Sequence, residues 1–166
     1  DGPDCLTAAE VGVVEKWYAG PKNSKGEQLY PGGIPPGSEP YWPLWLSGNP
    51  ANAAPAIVPM FGRDFKRYMA FADDPGENYT ATMFDFDKDP PRLAPMAAIY
   101  NSDSPDLSKF RDRGGRIIMY HGWADSIVTP YKTLDYVEKV EKAMGGAERT
   151  REFLRLFMVP GFDHCG

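Results

Sequence analysis

The pattern of hydrophobic and polar positions changes near residue 106. Beyond that point a short helix is predicted over 106–113, and apolar runs follow at 116–120 and 153–159. Apolar runs of this length are typical of buried parallel strands. Between them, apolar residues recur at helical spacing and form one stripe, which consists of Leu134, Val137, Val140 and Met144. The pattern predicts a βαβ unit with parallel strands and a right-handed crossover.

Two helix starts carry recognisable capping residues. Thr129 precedes Pro130, a pair that suits the N-cap and the first position of the helix between the strands. Near the start of the chain, Thr7 and Glu10 form a capping-box pattern, and apolar positions at helical spacing follow until Gly20. We therefore expect a first helix that begins after Thr7 and ends at Gly20.

Residues 21–60 show almost no hydrophobic periodicity, and a short helix is predicted only after them, at 61–72. Proline and glycine exclude a helix or a central strand at 30–37. Aromatic residues are scattered through this irregular stretch: Tyr30, Tyr41, Trp42 and Trp45. They fit the buried anchors that such a segment needs; alternatively, the last three contribute to a substrate-binding surface.

Two local motifs in the middle of the chain have a functional and a neutral interpretation. The acidic run at 85–89 has carboxylates at alternate positions, but it lacks the glycine and the terminal glutamate of a calcium-binding loop. We interpret it as a solvated strand or turn. Asn78 begins the triplet Asn-Tyr-Thr, which permits glycosylation in a secreted protein but also arises by chance.

Composition and charge exclude several classes of protein. The 166 residues include 17 Gly and 17 Pro, and the hydrophobic fraction of 42% is ordinary for a globular domain. The net charge of −5 comes from interspersed acids and bases, without a basic stripe for nucleic acid. We therefore expect no nucleic-acid partner. Because no run of about 18 apolar residues is present, we also expect no membrane span.

The two ends of the chain suggest that it is part of something longer. It begins Asp-Gly-Pro-Asp without methionine, which we interpret as a processed or excised fragment. Its two cysteines, Cys5 and Cys165, lie at opposite ends. They are two free thiols, one bridge that closes almost the whole chain, or partners of cysteines outside it. The last interpretation, like the glycosylation triplet, favours a secreted or periplasmic protein.

The candidate chemistry lies where the two predicted strands end. Asp125 follows the first strand and His164 follows the second, at the edge where open α/β sheets place their sites. An imidazole can take the proton of a serine hydroxyl, while a carboxylate orients the imidazole. In α/β hydrolases the serine comes first, then the acid, then the histidine. The order of Asp125 and His164 agrees, but no serine of this chain lies in Gly-x-Ser-x-Gly or opens a helix after a strand.

Other assignments compete for these residues. His164 and Cys165 would make half a metal site, although no other histidine or cysteine lies nearby. Cys165 beside a base would be a nucleophile, yet adjacent side chains point in different directions. His121 ends the first predicted strand, where we expect a hydrogen-bonded structural role. We favour Asp125 and His164 as two members of a triad whose serine is absent from the chain.

Two segments of the chain carry distinctive motifs. Residues 114–125, Gly-Gly-Arg-Ile-Ile-Met-Tyr-His-Gly-Trp-Ala-Asp, are similar to the acid-bearing segment of the tannase and feruloyl esterase family. Residues 155–166, which end Gly-Phe-Asp-His-Cys-Gly, are similar to its histidine segment. Residues 5–11, 18–21 and 26–32 also resemble the latter part of the family's lid domain.

The resemblance implies an α/β fold that is only part of an α/β-hydrolase domain. It divides the chain into the latter part of a lid at 1–72, a connecting segment at 73–105 and the C-terminal part of the catalytic domain at 106–166. It makes Asp125 the triad acid and His164 the base. In the family, Cys165 would pair with a cysteine before the catalytic serine, and Cys5 with one upstream.

The resemblance also implies a substrate and a partner. The protein would be a carboxylic ester hydrolase for feruloyl or galloyl esters, with the nucleophile supplied by the N-terminal portion of the same protein. It would need no cofactor for catalysis, and a structural calcium ion in the parent protein would have ligands outside this chain. Alone, the chain would be inactive. The alternatives are a non-catalytic module that binds phenolic or carbohydrate ligands, with a vestigial triad, and a peptidase of the same superfold.

Overall fold

The computed structural model describes residues 2 and 5–165 of the chain. The helices of this part are α1 (Ala8–Ala19), α2 (Trp42–Trp45), α3 (Ile57–Tyr68), α4 (Ala94–Tyr100), α5 (Ser108–Asp112), α6 (Pro130–Ala143) and α7 (Ala147–Arg151). The strands are β1 (Ile117–Gly122) and β2 (Leu154–Val159), and short 3₁₀ turns lie at Glu39–Tyr41, Ala81–Met83 and Pro90–Leu93. None of the helices in the described part combines the length and the hydropathy needed to cross a membrane.

The strands β1 and β2 form a parallel pair, with Ile117 opposite Leu154 and Gly122 opposite Val159. The helices α6 and α7 lie between them in the chain, so the predicted βαβ order and the parallel direction are confirmed. β1 extends past the predicted apolar run at 116–120 to include His121, which was expected at the strand end, and Gly122. This extension brings His121 into the sheet, close to the loop that carries Asp125.

The core of the βαβ unit lies between α6 and the strands. Val140, Met144, Phe153 and Leu154 are buried together, and Leu107, Ile117, Tyr136 and Val137 pack around them. The predicted inner stripe of α6 is therefore confirmed at Val137, Val140 and Met144. Since side chains of a strand alternate between its two faces, only one face of each strand contributes to this core.

The other face of the sheet is open. Ile118 is 78% exposed and Tyr120 is 67% exposed, and Phe157 lies opposite Tyr120 with 56% of its surface accessible. The interpretation of both strands as fully buried is thus wrong for this face. The reason is that the described residues supply a layer of helix on one side of the two strands and none on the other.

The capping prediction is confirmed for α1 and wrong in detail for α6. At α1, the Glu10 N–H donates to Thr7 Oγ1 at 3.3 Å, and the Thr7 N–H donates to the Glu10 carboxylate at 2.7 Å. The bond from the Thr7 backbone lowers the pKa of Glu10. Thr129 occupies the N-cap of α6, but its hydroxyl donates to the carbonyl oxygen of Gly33 at 2.9 Å instead of capping the helix.

The middle of the chain has a small core of its own. Ala70, Phe71 and Tyr79 are buried after the end of α3, and Phe84 and Leu93 pack against them. α3 begins at Ile57, before the predicted residue 61, and Ala56 with extended backbone is its N-cap.

The acidic run at 85–89 forms a turn, as predicted, but Asp89 is buried rather than solvated. Its carboxylate accepts the N–H of Asp85 at 2.8 Å and pairs with Arg92 at 2.6 Å. These bonds replace the water that a solvated carboxylate would bind, and they close the turn beside the small core.

Candidate active site

The loops that follow β1 and β2 bring Asp125 and His164 together. His164 Nδ1 lies 3.0 Å from Asp125 Oδ2. The acid is almost fully buried, with 6% of its side chain exposed, whereas the His164 side chain is 38% exposed. The buried carboxylate and the accessible imidazole are arranged as a triad acid and base require.

The carboxylate of Asp125 uses both of its oxygens. Oδ1 accepts the backbone N–H of Ile127 at 3.0 Å and of Val128 at 2.8 Å. Oδ2 accepts from His164 and lies 3.2 Å from His121 Nε2. An ionised carboxylate accepts hydrogen bonds and cannot donate them. The proton of His164 therefore sits on Nδ1, and the lone pair of the neutral ring is at Nε2.

Gly122 allows the two loops to approach closely. The N–H of Trp123 donates to Val159 O at 2.9 Å, and the N–H of Ala124 donates to Phe162 O at 3.0 Å. A Cβ atom at Gly122 would lie 2.0 Å from Phe162 O. Any side chain at this position would therefore push the histidine loop away from the acid loop.

Two of the predicted substrate-binding aromatics hold the histidine loop. Trp45 Nε1 donates to Asp163 Oδ2 at 2.7 Å, and the indole meets the ring of His164 edge to face, with centroids 5.8 Å apart. The hydroxyl of Tyr41 donates to Gly161 O at 3.0 Å. These contacts fit the interpretation of Tyr41 and Trp45 as anchors.

Trp42 has a different set of contacts. Its ring packs edge to face on Trp17 at 5.2 Å and tilts against Tyr18, and its Nε1 donates to Ser38 Oγ at 2.9 Å. Tyr18 in turn donates to Glu39, and this hydrogen bond raises the pKa of Tyr18 to about 12. Trp42 thus joins α1 to the start of α2.

The cysteines and the possible glycosylation site all lie at the surface. Cys5 and Cys165 are exposed free thiols and form no bridge with each other in this structure. Cys165 immediately follows His164, the candidate base, and the Cys165 side chain is accessible. Asn78 is also exposed, in a turn before the buried Tyr79.

A separate cavity of about 700 Å³ borders the acid loop. Trp17, Tyr30 and Phe86 supply its aromatic surface, and Ile127 and Thr129 supply the side that faces the acid loop. Neither Asp125 nor His164 is among its lining residues in the described part of the chain. The cavity is therefore distinct from the acid–histidine pair.

Sequence reasoning predicted that Asp125 and His164 lie close together, but it missed two residues around them. Asp163 is the partner of Trp45, and Gly122 permits the close approach of the loops. His121, for which a hydrogen-bonded structural role was expected, contacts the carboxylate of Asp125 directly. The only local signal for Gly122 was its place between the strand and Asp125. Nothing local indicated that Asp163 would meet an indole from a distant helix.

Comparison with known proteins identifies the family. A sequence model described as Tannase and feruloyl esterase matches residues 1–166. This chain belongs to the tannase and feruloyl esterase family. Membership extends over the irregular N-terminal region as well as the βαβ unit, since the match covers both.

The first two relatives of this family member are named as an esterase and as a hydrolase. An uncharacterized esterase of Xanthomonas campestris is 32% identical over 96% of the chain and 31% of the relative. A mono(2-hydroxyethyl) terephthalate hydrolase of Piscinibacter sakaiensis is 32% identical over 98% of the chain and 30% of the relative. The chain therefore spans less than a third of the length of these relatives.

A solved structure of the same family shows the same arrangement. The crystal structure of feruloyl esterase B from Aspergillus oryzae aligns with a TM-score of 0.75 and 27% identity. The alignment covers 98% of this chain and 30% of that one. The two-stranded parallel sheet with its helices is thus a partial α/β unit like one found within a larger feruloyl esterase.

Proposed function

We propose that this tannase and feruloyl esterase family member is the C-terminal part of a serine-type carboxylic ester hydrolase. In this proposal Asp125 is the triad acid, His164 is the base, and polypeptide outside this chain supplies the nucleophilic serine. Residues 1–72 form the latter part of the lid, and residues 106–166 belong to the catalytic domain.

One observation carries the proposal: the 3.0 Å hydrogen bond between His164 Nδ1 and Asp125 Oδ2. It fixes the tautomer in which Nε2 can accept a proton, which is the role of the base in this class of enzyme. The partial exposure of His164 supports the same role, because a base must meet both a nucleophile and a substrate.

The proposed reaction proceeds through an acyl-enzyme. His164 Nε2 takes the proton of the serine hydroxyl as its oxygen attacks the ester carbonyl. The tetrahedral adduct collapses, the ester C–O bond breaks, and the imidazolium gives its proton to the leaving alkoxide. A water molecule then repeats the attack with His164 as base and releases the carboxylic acid and the serine. Asp125 stabilises the imidazolium in both halves.

Two features support a serine from outside the chain. Ser126, next to the acid, is almost completely buried with its hydroxyl enclosed, so it is not placed to attack a substrate. The sheet has two strands, each paired on one side, and an open apolar face that carries Ile118 and Tyr120. Such an edge and face suit the attachment of further strands and helices.

The substrate class is proposed from the relatives. Besides the two relatives above, a protein named feruloyl esterase C of Talaromyces stipitatus is 30% identical over 98% of the chain and 29% of the relative. We propose feruloyl or galloyl esters as substrates, and a secreted or periplasmic location. In such a location, the exposed Cys165 would form a disulfide with a cysteine next to the nucleophilic serine.

The test is a covalent label on the full-length protein that contains this chain. The protein is treated with a fluorophosphonate, digested without reduction and analysed by mass spectrometry. We expect one labelled serine, outside residues 1–166, in a peptide that is disulfide-linked to the Cys165 peptide. Hydrolysis of methyl ferulate and methyl gallate should disappear with the label.

The alternatives give different outcomes. A protein that takes no label and binds phenolic compounds without hydrolysing them would be a binding module. A labelled protein that cleaves peptides but leaves both esters intact would be a peptidase. Either result contradicts the proposed function.

A further inference from the structure

His121 is the second-last residue of β1, just before the acid loop, and it contacts the carboxylate of Asp125. Its side chain is 12% exposed, and its Nε2 atom lies 3.2 Å from Asp125 Oδ2 and 2.9 Å from the carbonyl oxygen of Val128. Its Nδ1 atom lies 2.6 Å from the hydroxyl of Thr133 in α6. One imidazole therefore joins β1, the acid loop and the start of α6.

The partners of this ring determine where its proton sits. A carbonyl oxygen and an ionised carboxylate only accept hydrogen bonds, so Nε2 must carry a proton. The hydroxyl of Thr133 can donate, so Nδ1 needs no proton. The neutral ring satisfies all three partners, and it gives Asp125 a donor without adding a second cation beside the imidazolium that His164 forms during the reaction.

The shared oxygen couples His121 to the base. Asp125 Oδ2 accepts from His121 on one side and from His164 on the other. Loss of the His121 donor would leave Oδ2 with a single partner, so the carboxylate would attract the proton on His164 more strongly and would be less firmly oriented.

We propose that His121 is a positioning residue for the acid–histidine pair. As a neutral ring fixed by Thr133, it aims Asp125 Oδ2 at His164 and limits how strongly the carboxylate stabilises the imidazolium. This inference rests on the proposed function, because it concerns the same base.

Two variants of the full-length protein separate this role from a structural one. In His121→Gln the amide nitrogen can reach the place of Nε2 and donate to Asp125. In His121→Asn the shorter side chain reaches only the place of Nδ1, so it can contact Thr133 but not the acid. Both variants place a polar amide side chain at this position of β1.

We expect His121→Asn to lower kcat about ten- to a hundredfold, the effect of losing one hydrogen bond to a charged group, with little change in KM. The acidic limb of its kcat/KM profile should move to higher pH, because a carboxylate with one fewer hydrogen-bond donor attracts the proton on His164 more strongly. His121→Gln should recover most of kcat and the position of the limb. Equal losses in both variants, with an unmoved limb, would overturn the proposal.

A measurement without turnover tests the placement of the proton. Long-range ¹H–¹⁵N correlation spectra at neutral pH should show His121 protonated at Nε2 and not at Nδ1. Protonation at Nδ1, alone or with Nε2, contradicts the proposal. An inactive wild-type protein would contradict the proposed function instead, and the spectrum would still decide the tautomer of His121.

Discussion

The two buried clusters of this chain are built from different kinds of residue. In the βαβ unit (residues 106–165), Val140, Met144 and Leu154 belong to or adjoin regular elements whose backbone bonds are already made. The irregular region is residues 21–105, where long loops connect the helices α2, α3 and α4. Here Phe71 and Tyr79 lie in loops, and Arg92 stacks over the Phe71 ring at 4.6 Å. Regular elements need only apolar side chains to pack, whereas loops also need rings and polar groups that satisfy the backbone.

The candidate site depends on both regions. The βαβ unit supplies Asp125 and His164, and the irregular region supports the loops that carry them. Trp45 holds the histidine loop through Asp163, and Gly33 accepts a hydrogen bond from Thr129 at the end of the acid loop. We infer that the chemistry belongs to the βαβ unit and that the irregular region adds support to the loops that carry it.

The largest effect is expected from a substitution of Asp125, which changes the candidate acid and lies in the βαβ unit. Asp125→Asn should lower kcat of the full-length protein by about 10⁴-fold, because an amide no longer selects the His164 tautomer with the proton on Nδ1. The unfolding temperature should change little, since the amide oxygen can still accept the backbone bonds of the loop.

Asp112→Asn in α5 is the matched control for this prediction, because Asp112 is an exposed acid of the same unit. Its pairing with Arg111 lies at the surface and contributes little to stability. If Asp125→Asn kept wild-type turnover, Asp125 would have no part in the mechanism.

The next effect compares a buried valine of the βαβ unit with an exposed valine of α1. Val140→Ala should lower the free energy of unfolding by about 2 kcal/mol, because a fully buried side chain loses two carbon atoms and leaves a cavity. Val13→Ala in α1 is the matched control: Val13 is 46% exposed, and its loss should change stability by less than about 0.5 kcal/mol. Urea unfolding measures both. Equal losses would contradict the assignment of the core to α6 and the strands.

A smaller effect tests the support that the irregular region gives to the base. Trp45→Phe keeps a ring beside His164 but removes the donor to Asp163, whose carboxylate is buried. We expect kcat to fall about tenfold, because a buried charged acceptor loses its hydrogen bond. Trp42→Phe also loses one indole hydrogen bond, to Ser38, but should leave kcat nearly unchanged.

Steady-state kinetics separates the two functions proposed for these tryptophans. An increase in KM for Trp42→Phe at constant kcat would support its sequence-based assignment to substrate binding. A tenfold fall of kcat in Trp42→Phe, with none in Trp45→Phe, would contradict the role of Trp45 as support for the histidine loop.

The regular region was largely predictable from the sequence, and the irregular region was not. The strands, the stripe of α6 and the positions of Asp125 and His164 follow from local periodicity and from strand ends. The contacts of Trp45 with Asp163 and of Thr129 with Gly33 join residues far apart in the chain, and no local pattern encodes them. The open face with Ile118 was also unpredictable, because an apolar run does not say which neighbours cover it.

The smallest expected effect is a loss of stability at acid pH that depends on Asp89, beside the small core of Ala70, Phe71 and Tyr79. The N–H of Asp85 and the adjacent Arg92 hold the pKa of Asp89 below its usual value against the opposing effect of burial. A group with a lowered folded pKa stabilises the protein above the unfolded value of about 3.9, and this contribution is lost as the pH falls through the folded value. The gap in unfolding temperature between wild type and Asp89→Asn should therefore be largest near neutral pH and shrink below about pH 4. Asp73→Asn, at an exposed acid of the same region, should show no such convergence. A gap that stays constant down to pH 2 would mean that the ionised form of Asp89 does not hold the turn, and that the aromatic cluster keeps its shape by packing alone.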